Sequence, residues 1–395
     1  MAEFKQDIAD IAVPVTTLTN RQIRIAVSIL FFCLGLSFAS WASRIPDIKT
    51  SLGLNDAAFG LILLALPAGQ LTAMPFSGVM VTRFGSKKVL RVAAILYALC
   101  LTNLGLATQP WHLAVGLYFF GICGNLCNIS GNTQAIRAEK LYERPIMASF
   151  HGAWSTAGFT GAAIGLLMTG LQVRPYPHFC IVAVMIIVVV LVFQSKLQSG
   201  RSTLPTEKKS FFSRPDGMLV QLGIIGFCSM ASEGAMFEWS GVYFKDVVHA
   251  EGRLIVLGYA SFMGMMAIGR FVGDKLIEKY GRKRMLQVSG VMVSFGLLTA
   301  VFFPYMATAT FGFICVGFGV SSIIPMVYSS VGRVSKIPPG MALAAVSSIS
   351  FFGFLMGPPL IGYISQLFSL RHSFAVISLF GFAIAIMVSK LKALH

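Results

Sequence analysis

Apolar stretches of helix-spanning length recur along the chain, separated by short polar and basic segments. A hydrocarbon core takes about 20 residues of α-helix to cross. That ruler predicts spans over 23–45, 56–82, 88–107, 112–136, 146–171, 176–195, 217–244, 254–277, 285–303, 307–332, 340–367 and 372–390. The expected architecture is an all-α membrane protein of twelve transmembrane helices. The longest polar connection, 196–216, follows the sixth span and carries Pro205 and Pro215. It reads as a cytoplasmic linker between six-helix bundles over 23–195 and 217–390, flanked by a terminal segment 1–22 and a tail 391–395. The first twenty residues include Glu3, Asp7 and Asp10 and do not read as a cleaved leader.

An internal repeat supports the division. At a shift of 196 residues, Arg83-Phe84-Gly85 meets Lys279-Tyr280-Gly281, Gly116 meets Gly312, Gly121 meets Gly317, Arg137 meets Arg333 and Gly161 meets Gly357. No gap is needed. The expectation is two pseudo-symmetric halves with a solute site near the midplane between them.

Composition agrees. Only 12% of the 395 residues are charged and 56% are hydrophobic, against about 25% charged in soluble domains. The net charge of +16 does not point to nucleic acid, because the basic residues sit between the apolar stretches. With both termini cytoplasmic, 24 of the 31 Lys and Arg fall on the cytoplasmic side and 6 on the other, the asymmetry that orients membrane helices. All seven cysteines lie in apolar segments without metal-ligand spacing. No disulfide, metal or cofactor is expected, and no nucleophile–base set or phosphate loop suggests an enzyme. One bundle can hold a complete pathway, so a monomer is expected.

Beyond these patterns, the loop after span two reads Gly78-Val79-Met80-Val81-Thr82-Arg83-Phe84-Gly85-Ser86-Lys87-Lys88, and its second copy ends Glu278-Lys279-Tyr280-Gly281-Arg282-Lys283-Arg284. With twelve spans in a 6+6 division, the chain resembles the major facilitator superfamily over essentially its whole length. Thr82 replaces the usual acid of the first copy. Trp41-Ala42-Ser43-Arg44-Ile45-Pro46, His151-Gly152-Ala153-Trp154-Ser155 and Glu233-Gly234-Ala235-Met236-Phe237-Glu238-Trp239-Ser240 resemble the fucose-permease-like branch and its bacterial inner-membrane members. The fourth span lacks the acid known from fucose carriers and the Arg of proton-coupled drug pumps. The resemblance implies a secondary active transporter of the bacterial plasma membrane. A small polar solute, sugar-like or organic-acid-like, would move by alternating access with coupling to protons. Movement of amphiphiles or drugs, and a sensor on a transporter scaffold, are the alternatives.

Charges inside a bilayer are costly and usually functional. Glu233, sixteen residues into span seven, is the first proton-coupling candidate and Glu238 the second; a permanently paired structural acid is the competing reading. For solute contact the candidates are Asn125 and Asn128 on one face of span four, His151 and Trp154 on span five, Trp239 beside Glu238, and Trp41, Arg44 and Asp47 at the outer end of span one. Helix–helix hydrogen bonds and interfacial anchoring explain the same residues equally well. For gating, the candidates are Gly78, Arg83, Gly85, Lys87 and Lys88 in the first loop, Glu278, Gly281 and Arg282 in the second, and the deeper pair Arg270 and Asp274, whose charges would pair and separate as the inner side closes and opens. Pro325, Pro358 and Pro359 are expected to interrupt late spans.

Overall fold

The computed structural model describes residues 18–142, 146–199, 217–334 and 339–391, except the side chains of Ala148, Asp274 and 332–344. Most of the expected linker, 200–216, and residues 1–17 and 392–395 of the terminal segments lie outside the described residues.

The described chain is helical. The first span is α1 (Asn20–Ser43), followed by a short α2 (Ile45–Ser51). A capping box starts it: Gln22 N–H donates to the Thr19 hydroxyl at 3.3 Å while Thr19 N–H donates to Gln22 Oε1 at 3.0 Å. The second span is divided into α3 (Asp56–Leu63) and α4 (Ala65–Phe84). Then come α5 (Ser86–Gly105), α6 (Pro110–Glu139), α7 (Met147–Gly170) and α8 (Pro175–Phe193). The second half holds α9 (Gly217–Asp246), α10 (Leu257–Tyr280) and α11 (Arg282–Phe302). Its tenth span is divided into α12 (Met306–Ser321) and α13 (Ile323–Val334), followed by α14 (Pro339–Leu367) and α15 (Leu370–Lys390).

Two spans are therefore broken, the second unexpectedly and the tenth at Pro325 as expected, and proline explains both. Pro67 has no N–H to offer the carbonyl of Leu63, and Pro325 none for Ser321. Helix resumes through Leu64, whose carbonyl accepts from Ala68 N–H at 3.0 Å, and through Ser322, which accepts from Met326 at 3.1 Å. Pro358 and Pro359 behave otherwise. They lie within the unbroken α14, so the expected interruption there is corrected.

Among the described residues, eleven helical stretches are long and apolar enough to cross a membrane. The remaining crossing, α7, has 24 residues but is diluted by His151, Ser155, Thr156 and Thr160.

Helix packing repeats between the halves. In the first, α1 packs on α7, α4 on α6, and α5 on α6 and α8. In the second, α9 packs on α14, α10 on α12, and α11 on α12 and α15. The 196-residue repeat reappears in the close contacts. A Cβ on Gly121 would sit 2.0 Å from the Leu66 carbonyl oxygen, and one on Gly317 would sit 2.3 Å from that of Phe262. The loop glycines match too: Gly85 has φ 83° and ψ 140°, Gly281 φ 79° and ψ 154°, a region that only glycine enters freely. Contacts between halves run through α7 with α10 and α3 with α14, pairs that the same two-fold exchanges.

Candidate functional site

The polar groups at the centre sit where α7 of the first half meets α9 and α10 of the second. Glu233, on the buried face of α9, is 9% exposed. Its Oε1 lies 3.5 Å from Arg270 Nη2. Arg270 Nη1 donates to the Ser155 hydroxyl at 2.6 Å, and the guanidinium carbon stands 5.9 Å from the Trp154 ring centroid. Arg270 thus pairs with an acid of its own half and reaches a hydroxyl and an indole of the other. His151 and Tyr328 complete the titratable surroundings: His151 is exposed and within electrostatic reach of Arg270, and Tyr328, hydrogen-bonded to Ser350, is within reach of Glu233.

Aromatic rings pack together beside this cluster. Phe237, one turn beyond Glu233 on α9, has its centroid 5.3 Å from Phe38, 6.3 Å from Trp154, 5.6 Å from Phe262 and 6.4 Å from both Tyr259 and Phe354. The mostly edge-to-face geometry is the one that ring quadrupoles favour. Tyr259 is buried, and its hydroxyl has no hydrogen-bond partner. Among the described residues the cluster offers one cation, one acid, a hydroxyl donor and an apolar wall.

A second polar network closes one end of the molecule. Lys49 on α2 lies 2.5 Å from Asp56 of α3 and 3.0 Å from Asp246 at the end of α9, and its ammonium is 6.0 Å from the Trp239 centroid. Asp56 accepts from Ser365 of α14, and Lys245 donates to Thr50. All of these contacts except Lys49–Asp56 cross between halves. Beneath them, α3 lies along α14, whereas α4 touches α14 only marginally. Among the described residues the closure therefore belongs to the Lys49 end and not to the Gly85 end. A cavity of about 210 Å³ lies beside it, lined by Pro46, Lys49, Val242, Lys245 and Asp246 among others.

The other expected site residues scatter. Glu238 is 1% exposed, and neither carboxyl oxygen has a hydrogen-bond partner. Trp239 is buried edge-on against Phe59, at 5.6 Å, and Trp41 is fully buried; neither indole N–H has a partner. Arg44 pairs with Asp47 at 2.7 Å and donates to the Val173 carbonyl at 2.6 Å. Asn125 Oδ1 accepts from the Ser77 hydroxyl at 2.6 Å, while the exposed Asn128 accepts from Asn132 at 3.0 Å. The amides of span four are thus tied to their own half. Gln134 also serves its half, donating to Ser86 at 2.8 Å and clasping the start of the linker at Gln198.

At the Gly85 end, Gly78 faces open space and Arg83 lies over the Phe84 ring at 5.4 Å. Lys87 donates to the Ser195 carbonyl at 3.4 Å, and Lys88 and Glu278 are exposed. Arg282 has one buried nitrogen without a partner. The side chain of Asp274, expected to pair with Arg270, lies outside the described residues.

Lys49, Asp56, Asp246, Ser155 and the phenylalanine cluster carry no site role in the sequence pattern, where Lys49 counts only toward topology and Ser155 and Phe237 only toward the resemblance. The signal available is Phe237, one helical turn from Glu233.

Comparison with known proteins gives a consistent result. The Major Facilitator Superfamily profile matches residues 27–338. An uncharacterized MFS-type transporter of Yersinia pestis is 31% identical over 364 residues, covering 92% of this chain and 94% of the relative. A bacterial homologue of the human lysosomal transporter Spinster, in an inward-facing and occupied conformation, superposes with a TM-score of 0.75 at 15% identity, over 92% of this chain and 95% of that one. The nucleoside transporter NupG gives 0.71 at 14% identity, over 94% and 100%.

Proposed function

From the premise that this chain belongs to the Major Facilitator Superfamily and is a multi-pass secondary transporter rather than an enzyme, we propose that it moves a small solute by proton-coupled alternating access around Arg270. The observation that carries this reading is the placement of Arg270. It ion-pairs with Glu233 within its own half and holds Ser155 and Trp154 of the other. A proton on Glu233 cancels that 3.5 Å attraction and frees the guanidinium for a solute. Return of the ion pair after solute and proton depart resets the site. Coupling then follows from a single cation with two alternative partners, only one of which is available at a time.

The conformation described is closed at the Lys49 end. The distribution of Lys and Arg assigns that end to the outside, with both termini cytoplasmic and the site facing inward in the bacterial plasma membrane. Opening outward requires the Lys49–Asp246 and Asp56–Ser365 contacts to separate. Closing inward brings the Gly78–Lys88 and Glu278–Arg282 loops together, the gate expected from sequence. Glu238 is a second proton-coupling position: burying an unpaired charge is costly, so this acid needs either a proton or a cation delivered to it.

The test uses proteoliposomes loaded from a metabolite mixture, under an inward acid gradient, with the accumulated solutes identified by mass spectrometry. Accumulation that needs the gradient and disappears in Glu233→Gln supports the reading. Accumulation with the same gradient dependence in Glu233→Gln sinks the coupling role, and no accumulation of any component sinks active transport.

A further inference from the structure

Resting on that transporter reading, we infer that the central site selects an amphipathic monocarboxylate: one carboxylate on a compact apolar ring system. The first argument is charge. A guanidinium presents five N–H donors in a planar fork. Arg270 gives one nitrogen to Ser155 at 2.6 Å and only a single, long 3.5 Å contact to Glu233. Among the described side chains it forms no bidentate pair with an acid, which leaves the fork for a ligand that can use both prongs, and a free carboxylate fits that geometry. Among the described side chains, once Glu233 is neutral the fixed charge of the cluster is the single positive charge of Arg270, with His151, Tyr259 and Tyr328 as the other titratable groups near it. One positive charge in a largely buried site matches one negative charge. It repels a cation and leaves half of a dianion uncompensated.

The body of the solute is set by the walls. Phe38, Trp154, Phe237, Phe262 and Phe354 present rings from both halves. Such a wall gains from burying apolar and aromatic surface and offers nothing to most hydroxyls of a sugar, which would lose their water without a partner. The carbonyls of the amides that could have served a sugar are bonded elsewhere: that of Asn125 accepts from Ser77 and that of Asn128 from Asn132. One buried donor does lack a partner in this cluster, the Tyr259 hydroxyl. It suits a second carboxylate oxygen or one polar ring substituent.

The experiment is a thermal-shift and tryptophan-fluorescence titration of the purified full-length protein with millimolar benzoate, phenylacetate and cyclohexanecarboxylate. Benzamide, benzylamine, glucose and uridine serve as comparison probes. Expected is stabilisation and fluorescence change from the carboxylates alone. Binding should be weakened about tenfold or more in Arg270→Gln and partly restored in Arg270→Lys, which keeps the charge but loses the fork. Equal responses to benzoate and benzamide, which need no variant to read, overturn the inference. So does undiminished benzoate binding by folded Arg270→Gln, or silence from all three carboxylates. If the proteoliposomes accumulate a neutral solute in a Glu233-dependent way, the carboxylate class falls and the transporter reading stands.

Discussion

Replacing Lys49 with methionine should shift the molecule away from the closed-outside conformation. The stem of Lys49 is retained in volume, but its ammonium is lost from between Asp56 and Asp246. The two contacts count differently. Lys49–Asp56, at 2.5 Å, joins two residues of the same half and survives when the halves part. Lys49–Asp246, at 3.0 Å, crosses between halves, and its acid is 41% exposed, so it merits a solvent-screened value of about 0.2–1 kcal/mol. Removing the ammonium adds repulsion between the two acids it separates. Together these amount to about 1–2 kcal/mol, or roughly a 5- to 30-fold change in the ratio of closed to open forms. Asp246→Asn removes the cross-half attraction without leaving like charges opposed, so its effect should be smaller. Electron–electron distance measurements between spin labels at Ser51 and Glu251, with the native cysteines replaced, read the populations directly. An unchanged distance distribution in Lys49→Met, or a larger shift in Asp246→Asn, would refute this reasoning.

The repeat makes matched predictions. Gly85→Ala and Gly281→Ala each force a side chain into positive φ and should each cost about 1–3 kcal/mol, seen as lower melting temperatures in detergent. Gly78→Ala, whose Cβ meets nothing within 4 Å, should be neutral or stabilising by up to about 1 kcal/mol. Gly121→Val drives a branched side chain into the Leu66 carbonyl and should lower folding yield and melting temperature more than any of these, in size-exclusion profiles after heating. Ser155→Ala removes the 2.6 Å acceptor of Arg270 and should cost about 1–2 kcal/mol, as weaker binding of whichever solute the proteoliposome assay identifies.

The spans were legible because a bilayer imposes one length on every crossing, and because the basic residues cluster at alternate ends. Pro67 and Pro325 both stop a helix, yet Pro358 and Pro359 do not. The difference is tertiary: α14 is held along α9 by Gly353 and Gly357, whose Cβ positions would lie 2.2 Å from the Phe227 carbonyl oxygen and 3.0 Å from that of Ala231. That support cannot be read from spacing. Glu233 stood out by its depth in an apolar run. Its partner did not, because Arg270 lies 37 residues away on another helix, and local spacing instead drew Arg270 toward Asp274. The Lys49 network was hidden for the same reason, since its members come from four separate segments and each alone looks like an ordinary charge at a helix end. Intramembrane asparagines are prominent in sequence, but only the fold reveals that Asn125 spends its carbonyl on Ser77.

The most direct test of Glu233 as the protonation switch compares wild type with Glu233→Gln in the Ser51–Glu251 distance measurement, between about pH 5.5 and about pH 7.5. His151→Gln serves as a control, because histidine titrates in that range. Wild type and His151→Gln should change their distance distributions with pH. Glu233→Gln should not, and at both values it should resemble wild type at the acid end. A pH response retained in Glu233→Gln, or abolished by His151→Gln, would contradict the assignment of the switch to Glu233.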